Sequence, residues 1–203
     1  MDFNQEIMEM AEKIAQASLV QIDDIPKIDL YMEQVLSFLE QEMGDSLRQK
    51  DETVFTKTMV NNYTKEGILP RPQKKKYNKS HIIMLTYIFI LKQILSIQDI
   101  KAFFALMDDK EQLEPLYRNF LESVHDYQEE YSAFVSHQLE RIEEKFKENG
   151  LYDEKIKKMA FISLMSLAAM SNKMICSMLL DHSVLKEDEQ QIKQPQTSNN
   201  EIF

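Results

Sequence analysis

Residues Thr56–Met107 read TKTMVNNYTKEGILPRPQKKKYNKSHIIMLTYIFILKQILSIQDIKAFFALM, and the fold follows from where this stretch starts and stops its helices. The hydroxyl of Thr56 or Thr58 can accept first-turn amides, which predicts a helix running to about Glu66. Gly67 then supplies a left-handed closing residue. Met59, Val60 and Tyr63 offer inward contacts, while Lys57, Asn61, Asn62 and Lys65 face out. Next comes ILPRPQKKKY over Ile68–Tyr77. Its two prolines discourage helix. Its three lysines suit a short hairpin, because extended residues alternate sides and spread their charges. A disordered basic loop has the same composition. Ser80–Leu95 is apolar almost all round, so it needs neighbours on several sides. Ser96 and Asp99 form a capping box that opens a helix through Ile97, Ile100, Phe103, Phe104 and Met107.

The same stretch concentrates positive charge. From Thr56 to Lys101 there are nine Lys/Arg and two acids, a net of +7 in a chain of net −10, which leaves −17 elsewhere. A basic patch on an acidic body draws phosphate to one face. Lysines meet phosphates, and asparagine pairs well with an adenine edge. An ordinary solvated helix face and lysine-rich loop account for the same residues.

Three glycines, five prolines and 13 methionines in 203 residues favour a mainly helical protein. The single cysteine, Cys176, excludes an internal disulfide framework and a Cys-cluster zinc site, and fits a reducing cytoplasm. The acidic, amphipathic N-terminus does not read as a secretory signal. No segment reads as membrane-spanning: Ile82–Leu91 is about half the ~20 residues a span needs, and Met159–Met170 is similarly short before Asn172 and Lys173.

Outside this stretch, Phe3–Val20 is expected as a helix with Phe3, Ile7, Met10, Ile14 and Ala17 on one face. Ile22–Ile28 is a connector. Asp29 is placed to cap a helix to Met43, which Gly44 ends. Glu111–Glu148 is expected as one long helix, bent near Pro115 if bent at all. Leu113, Tyr117, Phe120, Val124, Tyr127, Tyr131 and Phe134 alternate steps of four and three, and Val135, Leu139, Ile142 and Phe146 continue after a shift. That is a coiled-coil seam with a stutter, or the packing face of a helix within its own bundle. Asp153–Asp181 is a further helix with a Met-rich apolar run, core or partner surface. Lys186–Phe203 reads as a disordered tail.

Catalytic chemistry finds little support. Glu122 and His125 form one Glu-x-x-His pair, whereas a di-iron bundle needs two and further glutamates. There is no phosphate-binding glycine loop and no nucleophile in a recognised motif. The expectation is a non-enzyme with no catalytic residue, metal or cofactor.

The order of these pieces resembles the DNA-binding domain of the MerR family of bacterial transcription regulators. A Thr-started helix with Tyr63 leads into Lys65-Glu66-Gly67-Ile68-Leu69-Pro70. Basic residues Arg71 and Lys74–Lys76, then Tyr77, the apolar helix from Ile82 and Leu95-Ser96-Ile97-Gln98-Asp99-Ile100-Lys101 follow. The resemblance spans about Asp29–Met107. It implies a winged helix-turn-helix and a long following helix that makes a dimer. The chain departs from that pattern at Asn61-Asn62, where MerR members carry Arg and Tyr. It departs again in a wing without glycine and in the long link Gly44–Phe55. Over more of its length the chain is similar to an uncharacterised bacterial family, domain of unknown function 1836, which implies no activity.

The expected organisation is an N-terminal helix and connector (1–28), a MerR-like winged helix-turn-helix (29–107), a helical dimerisation or bundle region (108–185) and the tail (186–203). The expected fold is mainly α. The expected function is a cytoplasmic, dimeric, MerR-like DNA-binding regulator with double-stranded DNA as partner and no membrane partner. Thr56, Lys57, Thr58, Asn61, Asn62, Lys65, Arg71, Lys74, Lys75, Lys76 and Tyr77 are the expected DNA contacts. The alternative is a protein-interaction module on a degenerate helix-turn-helix scaffold that does not bind DNA, which the acidic body and Asn61/Asn62 favour.

Overall fold

The computed structural model describes residues 3–16, 18–49, 51–107, 109–151 and 153–193, with side chains placed for all of these but 110 and 184–193. The described chain is mainly helical. In order it forms α1 (Phe3–Ala15), β1 (Leu30–Tyr31), α2 (Met32–Met43), α3 (Lys57–Lys65), β2 (Lys76–Tyr77), α4 (Lys79–Leu91), α5 (Ile97–Ala105), α6 (Leu113–Glu148) and α7 (Glu154–Lys193). The two strands make one antiparallel ladder, Leu30 opposite Tyr77 and Tyr31 opposite Lys76.

Two hydrophobic clusters organise the helices. The first gathers α2 through α5 around α4, in which every residue from His81 to Phe89 is buried. A helix with no polar face must be enclosed, and here α2, β2, α5 and the start of α6 enclose it. Tyr87 packs its ring against Phe103, Phe104, Tyr117 and Phe120 at centroid separations of 5.2–6.4 Å. Burial pushes the Tyr87 phenol up to about 12. The Tyr117 hydroxyl donates 2.6 Å to the Val20 carbonyl, closing the cluster across 97 residues of chain.

The second cluster lies at the far end of α6, where Val135, Leu139 and Ile142 meet Phe3 and Ala11 of α1 and Phe161 of α7. Asn4 reaches Glu143, and Lys158 of α7 reaches Glu6 at 3.0 Å. α1 and α7 therefore both run antiparallel along α6, and α7 returns far enough to place Leu180 in the first cluster.

Several local expectations hold. Thr56 caps α3, its Oγ1 accepting from the Met59 amide at 3.2 Å. Gly67 closes that helix at φ 75°, with no atom near the space a Cβ would take. Ser96 and Asp99 form the capping box of α5. Pro115 falls in the first turn of α6, where its missing N–H is not needed.

Others are corrected. α1 ends at Ala15 rather than Val20; Ala17 lies outside the described residues. α2 is capped by Tyr31, with Gln34 reaching back to the Tyr31 amide, and not by Asp29, because the ladder to Tyr77 and Lys76 keeps Leu30 and Tyr31 extended. Gly44 does end α2, but in a right-handed conformation that leads into a single 3-10 turn. α4 stops at Leu91, and α5 stops at Ala105. α7 continues as helix through Lys193, so 186–193 is not a disordered tail, and 194–203 lies outside the described residues. Glu154–Ser183 is also long and apolar enough to cross a membrane, where Asn172 and Lys173 had suggested a shorter apolar run.

The α6 stripe divides. Leu113, Tyr117 and Phe120 pack into the first cluster, and Val135, Leu139, Ile142 and Phe146 into the second. Both ends are spent inside the chain, so the stripe as a whole is not a free seam. Its middle stays open, with Tyr127 at 62% and Phe134 at 43% exposure. The larger exposed apolar face belongs to α7: Met159, Ile162, Leu167, Met170, Met174 and Met178 are all more than half exposed.

Candidate nucleic-acid interface

The candidate interface joins α3 to the hairpin that follows it. α3 buries Val60 and Tyr63, and Tyr63 packs edge-on against Phe55 at 6.3 Å. That anchoring turns Lys57, Thr58, Asn61, Asn62 and Lys65 outward, and all five are exposed. Past Gly67 the amides of Ile68 and Leu69 both donate to the Tyr63 carbonyl, which fixes how the chain leaves the helix. Buried Ile68 and Leu69 then seat the base of the hairpin in the first cluster.

The hairpin turns at Gln73–Lys76, where the Lys76 amide donates to the Gln73 carbonyl at 2.8 Å. Both central residues are lysines with positive φ, Lys74 at 49° and Lys75 at 63°. Two successive left-handed residues make a type I′ turn, a geometry that Asn-Gly fills with least strain. A non-glycine residue there costs about 1 kcal/mol or more. The tip thus holds two exposed cations in a backbone that disfavours them. No ion pair to Lys65, Arg71, Lys74 or Lys75 occurs among the described residues.

The two elements converge on the start of α2. Lys57 of α3 pairs with Glu33 at 3.3 Å, and Lys76 of the hairpin lies 5.2 Å over the Tyr31 ring. Glu33 and Tyr31 are two residues apart, so both cations reach one edge of the body. A hydrogen bond from its own backbone, then Lys57, holds the Glu33 carboxyl below its usual range. Neither Tyr31 nor Glu33 was marked by the sequence. Glu33 is one of many helix acids, and Tyr31 becomes visible only once β1 pairs with β2.

Two expectations are corrected here. Tyr77 is only 3% exposed, packed edge-on against His81 at 5.3 Å, so it is a core residue at the hairpin's root and not a surface contact. Burial, then the nearby Glu33 carboxylate, raises its phenol. Lys92, counted in the basic stretch, turns into the core instead: its Nζ donates 2.9 Å to the Val54 carbonyl and lies 4.6 Å over the Phe55 ring. Lys79 is paired with Glu114 at 2.6 Å. Of the nine, Lys65, Arg71, Lys74, Lys75 and Lys101 are exposed with no ion pair among the described residues, Lys57 is exposed but shared with Glu33, and Lys76 is half-buried beside Tyr31, so fewer cations are open than the linear count.

His81 fixes the hairpin from below. It is 6% exposed, and its Nε2 donates to the Pro70 carbonyl at 3.2 Å, while its Nδ1 lies 2.6 Å from Asn78 Oδ1. Burial lowers its pKa, opposed by the Pro70 bond and the Asp29 charge. Elsewhere His125 pairs with Glu129 at 3.4 Å, and no group of three or more potential metal ligands occurs among the described residues.

No curated protein and no solved structure matches the chain. Residues 20–120 match the family described as "Domain of unknown function (DUF1836)". This span opens at Val20 and closes just past Tyr117, the two residues whose hydrogen bond shuts the first cluster, so the matched segment supplies every buried residue of the first core except Leu180 of α7. Through this segment the chain belongs to the DUF1836 family.

Proposed function

We propose that the protein is a dimeric, sequence-specific DNA-binding regulator that works as MerR-like winged helix-turn-helix proteins do. α3 enters a major groove, where Asn61 and Asn62 meet base edges and Lys57, Thr58 and Lys65 meet the groove wall. The hairpin lies against the flanking backbone with Arg71, Lys74, Lys75 and Lys76 on phosphates. The observation that carries this reading is the lysine pair at positive φ on the hairpin tip. A strained backbone kept with side chains ill suited to it implies that the side chains serve a function there.

A second copy supplies the other half of the site. The exposed methionines and leucines of α7 pair with their counterparts across a two-fold axis. A bilayer is the less apt occupant of that face. The opposite side of α7 is packed on both clusters through Phe161 and Leu180, and its first turns are pinned by Lys157–Glu143 and Lys158–Glu6. Selection from a pool of random duplexes tests specificity and symmetry together. The expected product is a dyad-symmetric motif with half-sites about 34–36 Å apart or a multiple of that. Return of an unenriched pool contradicts the reading and favours a protein-interaction module, to which the exposed Lys57–Glu33 pair is equally suited.

A further inference from the structure

Behind the hairpin lies a recess of about 660 Å³, within the range of small-molecule sites. Its walls are the hairpin, the first turns of α4 and the last turn of α5. Three cations line it, Arg71, Lys76 and Lys101, against one acid, Asp29, among the described residues. Its floor is apolar, from Met84, Phe104 and Leu113. The positive end of the α4 dipole also opens on it through Asn78 and Ser80. Cationic rim and greasy floor together select a ligand with one anionic head and an apolar body. The recess is mechanically tied to the hairpin. His81 forms part of its wall and binds the Pro70 carbonyl at one root of the hairpin and Asn78 at the other.

We propose that this recess is an effector site for a small amphipathic anion, a carboxylate or phosphate monoester on an alkyl or aryl body, and that occupancy shifts the hairpin carrying Lys74 and Lys75. The ligand's head sits at Lys101, the rim cation that the proposed DNA contacts do not use, and its body lies on Met84 and Phe104. The binding claim stands apart from DNA recognition; only the regulatory consequence rests on the proposed function.

The full chain is titrated with octanoate, octyl phosphate and, as the neutral control, octanol, while backbone amide resonances are followed. The expected result is saturable shifts at residues 70–78 and 101–107 with either anion. Lys74 and Lys75, outside the recess, are expected to shift with the same midpoint. Octanol binds at least tenfold more weakly. The two anionic probes separate a carboxylate site from a phosphate ester site by which saturates first. Lys101→Glu, on an exposed position that is no part of the first core, weakens anion binding at least tenfold without changing the unfolding midpoint. Octanol binding as well as octanoate, or anion binding unmoved by Lys101→Glu, overturns the site. Saturation that leaves Lys74 and Lys75 unmoved overturns the coupling. A protein that binds octanoate in this way but no duplex refutes the DNA reading alone.

Discussion

Replacing Lys74-Lys75 by Asn-Gly separates what the hairpin tip does for the fold from what it does for a partner. Both lysines hold positive φ in a turn closed by the 2.8 Å bond from the Lys76 amide to the Gln73 carbonyl. Each left-handed non-glycine residue costs about 1 kcal/mol, so the pair stores about 2 kcal/mol. Glycine returns about 0.5–1 kcal/mol of that through the greater freedom of the unfolded chain. The net expectation is a variant about 1 kcal/mol more stable, a rise of about 2–4 °C in Tm for a chain of this size. No ion pair or core contact offsets the gain, because both side chains are exposed. Binding is expected to move the other way. Each lost phosphate contact reduces the salt slope by about 0.9, so K74N/K75G lowers it by about 2. Thermal unfolding and fluorescence anisotropy on a labelled duplex over 50–200 mM salt read the two effects. A variant that is less stable refutes the strain argument. One that is more stable but binds duplex with an unchanged slope removes the hairpin from the interface.

Tyr117→Phe leaves the buried Val20 carbonyl without its donor, so chemical denaturation should show a loss of about 1–3 kcal/mol; no loss contradicts the closing role given to that bond. His81 has a folded pKa below its unfolded value of about 6.5. The stability linked to its neutral form is therefore full above that value and falls as pH drops toward the folded pKa. His81→Gln should flatten the change in urea midpoint between pH 7.5 and pH 5 relative to wild type, and an equal drop in both proteins counts against it. Met170→Glu with Met174→Glu puts two carboxylates into the α7 face. For a chain that dimerises through α7 as proposed, sedimentation equilibrium should then show dimer dissociation strengthened at least tenfold with helix content retained, whereas a monomeric wild type or an unchanged assembly contradicts the proposed α7 seam.

Much of the first cluster was legible because its signals are local. An all-round apolar helix, a threonine three residues before an amide it can accept, a serine–aspartate box and a glycine at a helix end each act within one or two turns. What the sequence obscured depends on partners distant along the chain. Two residues of β1 carry no alternation to detect, and only their pairing with β2 moves the cap of α2 from Asp29 to Tyr31. Lys92 counts as a positive charge in any linear tally, yet its long apolar stem lets it fold over Phe55 and Phe89. Tyr77 follows three lysines and reads as part of the wing, but strand alternation turns it inward while Lys76 turns out. The α6 stripe shows a face that needs covering, and periodicity does not say by what. α1 and α7 cover its distal end.

The central claim is that α3 and the hairpin act as one phosphate-binding surface. The salt dependence of duplex binding by the wild-type chain tests this most directly. With six cations at the proposed interface, of which Lys57 is shared with Glu33 and Lys76 is half-buried, the proposal has four to six phosphates neutralised. The plot of log Kd-derived affinity against log salt should then have a slope of about −4 to −5. No measurable association at 50 mM salt, or a slope near zero, contradicts it.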